Sequence, residues 1–301
     1  MRRQISLQRG GANDARLLAV VTTRRGEKGR RYRLPSDADH EGVQGAREAL
    51  VDLREKFDLP SEPIPQKERH RAVGSQLPLY GFKTWSDLFT DRQLLALGTL
   101  CQLAQEVYPE IVESVKDQKL AVAILTNLSL LINKLADMNT SLCVWQTHAN
   151  IPAHLFGRKA FPMVMDFAEA VPVGESSGSL VSGWERSERI LREYSYLELA
   201  SGTSGLADAT SVPLPNTAFD IFFTDPPYYD SVPYADLSDF FYVWMKRILK
   251  PISPNMFGSD LTDKSHEATV NHPNSEVEKN RYTQILKQAW TEAKRITKND
   301  G

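Results

Sequence analysis

The 301-residue chain is 41% hydrophobic with a formal net charge of −2, ordinary values for a globular protein and against a disordered or fibrous one. The near-neutral total hides an asymmetry: residues 1–34 hold ten Lys and Arg against Asp14 and Glu27, a net of +8, which leaves the remainder near −10. No apolar stretch follows Met1-Arg2-Arg3, so a secretory signal is not expected and the reading is cytoplasmic.

The first predicted element is a β-hairpin in "ARLLAVVTTRRGEKGRRYRLP": an apolar run, a charged turn containing Gly, then Tyr32 and Leu34 in alternation up to Pro35. Its cations suit either phosphate contact with a nucleic acid or a solvated edge guarded by charge. Ser36 or Asp37 can cap a helix running to about Phe57, and Pro60, Pro63 and Pro65 then mark a linker. "TWSDLFTDRQLLALGTLCQLAQEVYPEI" offers two Ser/Thr-Asp helix starts and an apolar stripe up to Pro109. The following "VKDQKLAVAILTNLSLLINKLADMNTSL" is apolar nearly all round, as in a helix with neighbours on every side. Its longest uncharged run, Leu120 to Asn133, is too short to cross a bilayer, so a core helix is expected.

From Leu142 to Val173 no period is sustained, and "SGWERSERILREYSYLEL" then resumes as an amphipathic helix. Cys101 and Cys143 are 42 residues apart without a CxxC pair, which reads as buried free thiols. His148/His154 and His266/His272 are each spaced by six, not a helical ligand spacing, and no metal site is expected.

"AFDIFFTDPPYY" carries the chemistry. Its apolar half reads as a central strand covered on both faces, with Asp225 at the carboxyl end, where open α/β sheets hold their ligands. Pro226 and Pro227 fix two φ angles and remove two N–H donors, and Tyr228 and Tyr229 add flat faces. A carboxylate beside a carbonyl gives two acceptors for the two hydrogens of an –NH₂ group, and an aromatic face can hold the ring that bears it. Such a corner suits the exocyclic amine of a nucleobase taken out of its stack. Acceptors that draw both hydrogens out of the ring plane favour the pyramidal transition state of amine alkylation over the flat ground state.

"TDPPYY" resembles the catalytic motif of the DNA amino-methyltransferases, which move a methyl group from S-adenosyl-L-methionine to adenine N6 or cytosine N4. "LADATSVPLPNTAFDIFFTDPPYYDSVPYADLSDFFYVWMKR" is similar, more narrowly, to large bacterial proteins described as adenine-specific DNA methylases with a zinc ribbon and an N-terminal domain of unknown function. That likeness extends upstream through "WSDLFTDRQLLAL" and "LADMNTSLCVW". The resemblance implies an α/β fold, an incomplete Rossmann-like methyltransferase sheet with a largely helical N-terminal portion. It implies catalytic roles for Asp225, Pro226, Pro227 and Tyr228, cofactor contact at Asp208 and Ala209, and substrate contact at Tyr229, Asp230, Tyr234 and Asp236. Asp208 also reads as a plain turn or cap residue. In "LSDFFYVWMKRIL", Phe240, Phe241, Val243, Trp244 and Ile248 read as helix core.

"YLELASGTSG" offers a glycine-rich stretch, but only about 20 residues separate it from Asp225, where βα units of about 30 residues each should intervene, and Pro213 and Pro215 forbid the long helix that should follow. "YTQILKQAWTEAKRITKNDG" resembles the helix and turn that precede the family's fifth strand. By resemblance the chain therefore holds the target-base corner without the first strand or those from the fifth onward. A flipped DNA base is the expected partner, with a second polypeptide to supply the other segments. The alternative is a noncatalytic nucleic-acid-binding or assembly subunit; within the catalytic class, an RNA base or a protein amide also presents a planar amine. The organisation expected is a basic β-hairpin arm (1–35), a helix and Pro-rich linker (36–75), a helical portion (76–190) and a partial catalytic core (191–301).

Overall fold

The computed structural model describes residues 11–24, 26–27, 29–66, 72–73, 76–157, 160–197, 200, 202, 204–229, 232–272 and 274–298. Half of the described residues are helical and 6% are strand, and they form no parallel sheet. The expected Rossmann-like sheet is therefore not the fold. Two compact units are present, one made of residues 1–194 and 238–262, the other of 195–237 and 263–301.

The first unit contains the hairpin read from the sequence, β1 (Val20–Thr22) antiparallel to β2 (Arg31–Arg33) with Val21 opposite Tyr32. Gly26 and Gly29, both at positive φ, lie in the connection. Helix α1 (Asp37–Lys56) starts at Ser36, whose hydroxyl and backbone N–H both donate to Asp39 three residues on. Helix α2 (Asp91–Glu106) starts at Thr90, whose hydroxyl accepts from the Gln93 N–H while the Gln93 side chain accepts from the Thr90 N–H. Helices α1 and α2 pack together at Gly98, where a Cβ would stand 2.5 Å from Leu59 and 2.8 Å from Leu53. A short helix, α3 (Tyr108–Val115), leads through Lys116 in the left-handed region to α4 (Gln118–Met138), capped by the Asp117 carboxylate.

Helix α4 has 21 residues and, alone among the described residues, is long and apolar enough by length and composition to cross a membrane. The charge-free core read from the sequence understates it, because polar Gln118, Lys119, Lys134 and Asp137 also join the helix. Half of the apolar stretch is buried, while Leu120 and Leu130 are exposed, so the helix lacks neighbours on every side. A minimal hairpin follows, β3 (Trp145–Gln146) with β4 (Ile151–Pro152), and then α5 (Leu180–Ser195).

Helix α6 (Tyr234–Leu249) crosses the boundary between the units at Leu237 and Ser238. Its later turns build the aromatic core of the first unit. Phe240 stacks on Phe89 at 6.0 Å and meets Trp85 edge-on at 6.2 Å, and Trp244 meets Phe89 edge-on at 5.3 Å. Phe240, Val243, Trp244 and Ile248 are buried as expected, whereas Phe241 is only half-buried and stacks on Phe156. The Pro-rich stretch after α1 is packed against this core, with Leu59, Glu62 and Ile64 buried. Arg247 donates to the carbonyls of Asp58 and Leu59 and, at 2.6 Å, to the Glu62 carboxylate; Lys246 lies 3.2 Å from the same oxygen. A four-residue helix, α7 (Pro254–Phe257), completes this unit.

In the second unit, α8 (Glu276–Ile296) is capped by the Ser275 hydroxyl and followed by a single parallel bridge, Thr297 to Phe219. Arg295 donates to the carbonyls of Val212 and Leu214 and to the Asn216 side chain, while Glu292 accepts from the Val212 N–H. This bracket fixes the irregular run 212–216, and Arg295 holds Glu292 down to a pKa of about 2. The expected central strand does not form beyond that bridge: Ile221 is 77% and Phe223 94% exposed.

Candidate functional site

Every position singled out in the sequence for chemistry lies in the second unit, with Asp230 outside the described residues. Asp225, Pro226, Tyr228, Tyr229 and Tyr234 are exposed, and Pro227 is half-buried. The corner is thus open to solvent rather than packed inward.

Helix α8 and the loop before it brace that corner. The Tyr282 hydroxyl donates to the Pro227 carbonyl at 2.8 Å, and its ring meets Tyr229 edge-on at 5.1 Å. The N–H of fully buried Val270 donates to the Tyr229 carbonyl at 3.0 Å. Pro227 has lost its N–H to its ring and has its carbonyl engaged by Tyr282.

Asp208 sits in a turn, the plainer of its two sequence readings. One of its oxygens accepts from both the N–H and the hydroxyl of Thr210, at 2.7 and 2.6 Å, and the other is 2.6 Å from His266 Nδ1. The Thr210 hydroxyl and then His266 lower its pKa to about 2, and the carboxylate in turn raises that of His266. Ala209 is exposed beside it. No described contact joins Asp208 to Asp225. Three of the roughly four acceptor positions of Asp208 are thereby taken within the unit, and the described residues form no parallel sheet from which a glycine loop could project. The residues present do not fit an S-adenosylmethionine site.

Asp236 is buried near the start of α6, with Lys264 at 3.9 Å. Three residues beyond Lys264, Glu267 accepts from the Ala235 N–H at 2.8 Å, where the helix dipole favours a carboxylate. Burial, with the nearby Asp236 charge, raises the Glu267 pKa. Asp236 therefore belongs to the anchoring of α6 rather than to an open mouth.

The run Asp263 to Glu267 ties the unit together. Asp263 accepts from Ser265, Lys264 faces Asp236, the Ser265 carbonyl accepts from Arg281, His266 meets Asp208, and Glu267 caps α6. Sequence reading noticed His266 and His272 only as a spacing. Each has a carboxylate partner at 2.6 Å, Asp208 58 residues earlier and Glu278 six residues later. Only the second separation is short enough to suggest itself from the chain. Tyr282 carried no signal at all. Compared with models of known families, with curated proteins and with solved structures, the chain matches none.

Proposed function

We propose that the Asp225–Tyr228 corner receives the exocyclic amine of a DNA base, adenine N6 in first place and cytosine N4 in second, as the target-recognition part of an S-adenosylmethionine-dependent DNA amino-methyltransferase. The observation that carries this reading is the combination of an exposed Asp225, Pro226 and Tyr228 with a brace beneath them from Tyr282 and Val270. The Asp225 carboxylate accepts one amine hydrogen, the Pro226 carbonyl the other, and the Tyr228 ring supports the base. Because Asp208 is engaged elsewhere, the cofactor comes on a second polypeptide, and the chain alone transfers no methyl group.

A noncatalytic nucleic-acid-binding subunit is the second reading, favoured by the same engagement of Asp208. The two separate in one experiment. Affinity is measured for duplexes bearing an unpaired adenine or, in its place, N6,N6-dimethyladenine, which has no amine hydrogens. Recognition through two acceptors predicts a preference for adenine of more than about tenfold, since hydrogen bonds to a charged group contribute roughly 1.5–3 kcal/mol. Asp225→Ala abolishes the preference. Equal affinity of the unmodified chain for both duplexes sinks the base-recognition reading and leaves the binding subunit; transfer of labelled methyl by the chain alone sinks the assignment of the cofactor to a second polypeptide.

A further inference from the structure

We infer that the β1–β2 hairpin is a rigid phosphate-binding platform for duplex DNA, a site in the first unit separate from the Asp225 corner. The sequence leaves the hairpin between a loose solvated arm and a nucleic-acid contact. Two braces decide against the loose arm. Tyr32, in the middle of β2, meets Trp145 edge-on at 6.3 Å and donates its hydroxyl to Asn150 at 2.9 Å, which fixes β2 to the β3–β4 hairpin. Its neighbour Arg33 holds Asp39 through both guanidinium arms, at 2.5 and 2.9 Å, and Asp39 is the residue that closes the cap of α1. A merely solubilising hairpin has no need of two anchors on other elements.

With Arg33 spent on anchoring, the described cations of the turn are Arg24, Arg30 and Arg31, against the single acid Glu27; Arg25 and Lys28 add to the charge of the sequence and lie outside the described residues. Glu27 is shared between Arg31 at 2.7 Å and Arg24 at 3.6 Å, and all three side chains are about half exposed or more. Arg30 makes no ion pair among the described residues. The described turn residues thus keep a positive excess beside a strand that is anchored at Tyr32 and Arg33, an arrangement that releases counterions from a polyanion at a reduced cost of ordering the protein. Single-stranded nucleic acid is the poorer fit, because it is held by open aromatic faces between the cations. The hairpin has one aromatic, Tyr32, and its ring already meets Trp145 while its hydroxyl bonds Asn150.

The test uses the full chain and a fluorescent duplex of mixed sequence, with binding followed by anisotropy over a salt series. The Arg24→Glu/Arg30→Glu variant is expected to weaken binding more than about tenfold and to reduce the slope of log K against log salt by about two, near 0.9 per phosphate contact. Glu27→Gln, which frees Arg24 and Arg31, is expected to tighten binding several-fold, a gain that misfolding cannot mimic. Both effects persist with Asp225→Ala in the background, which separates this platform from the base-recognition reading. An unchanged salt slope in the double variant overturns the inference. So does preference for a single strand over the duplex, or for phosphatidylglycerol vesicles over the duplex.

Discussion

Glu62 is the residue whose loss should harm the first unit most for the smallest change in shape. One of its oxygens receives Arg247 at 2.6 Å and Lys246 at 3.2 Å, and the three side chains are only 7%, 4% and 10% exposed. In Glu62→Gln the shape and an acceptor stay while the charge goes, so two buried cations lose their common partner. Asp58 and Asp260 remain within 3.1 and 3.2 Å of them, but both are largely exposed and solvent-screened. Breaking a buried pair from one side costs about 3–5 kcal/mol, and the residual partners place this case near the lower end. The assay is urea unfolding followed by the fluorescence of fully buried Trp85 and Trp244; the midpoint should fall with the slope unchanged. The pH dependence gives an independent check. Burial pushes the Glu62 pKa up, but the hydrogen bond and charge of Arg247, with Lys246, outweigh it and leave the pKa lowered. The stabilisation is therefore present above the unfolded value of about 4.3 and lost as pH falls through the lower folded value, and Glu62→Gln should flatten that acid limb. A loss under about 1 kcal/mol, the range of exposed ion pairs, would refute the claim that the cluster is buried and mutually dependent.

Tyr282→Phe removes the hydroxyl from the Pro227 carbonyl; amide exchange at Tyr228 and Tyr229 should accelerate, while the midpoint of the Trp85/Trp244 transition stays in place. The His266 imidazole should titrate above its ordinary range and return toward about 6.5 in Asp208→Asn, as read by NMR. The sign follows from both partners: the His266 contribution is complete below its unfolded pKa and lost as pH rises through the raised one, and the Asp208 contribution is lost as pH falls through about 2. Cys101 and Cys143 are buried with their thiol pKa values pushed up by that burial, so neither should react with a thiol reagent until the protein is denatured.

The helical part of this protein was legible because its signals are local. Ser36 and Thr90 each stand three residues from the group they bond, and the apolar spacing of Phe240, Val243, Trp244 and Ile248 repeats within one helix. Segments whose placement depends on distant partners were not legible. The prolines at 60, 63 and 65 read as a linker by composition, yet Arg247, 185 residues beyond Glu62, pins that stretch into the core. Asp208 read as a cofactor contact by resemblance or as a turn residue; its bonds to Thr210 fit the turn, while its partner His266 stands on a loop that no short-range pattern connects to it.

The run Phe219 to Thr224 shows most clearly what local pattern leaves open. Six mostly apolar residues before an acid describe a strand with sheet neighbours on both edges and cover on both faces, but the neighbours are a property of the rest of the molecule. Here one bridge forms, with the Phe219 N–H and carbonyl both turned toward Ile296 and Lys298. In an extended chain the next residue directs its backbone groups the opposite way, and no backbone bond of residues 220–226 is made among the described residues. The Asp225 corner consequently owes its rigidity to Tyr282, Val270 and its own two prolines, not to a sheet. That distinction bears directly on mechanism. A corner held by side chains can present a carboxylate and a carbonyl to an amine, whereas a cofactor site built on strand ends requires the sheet itself.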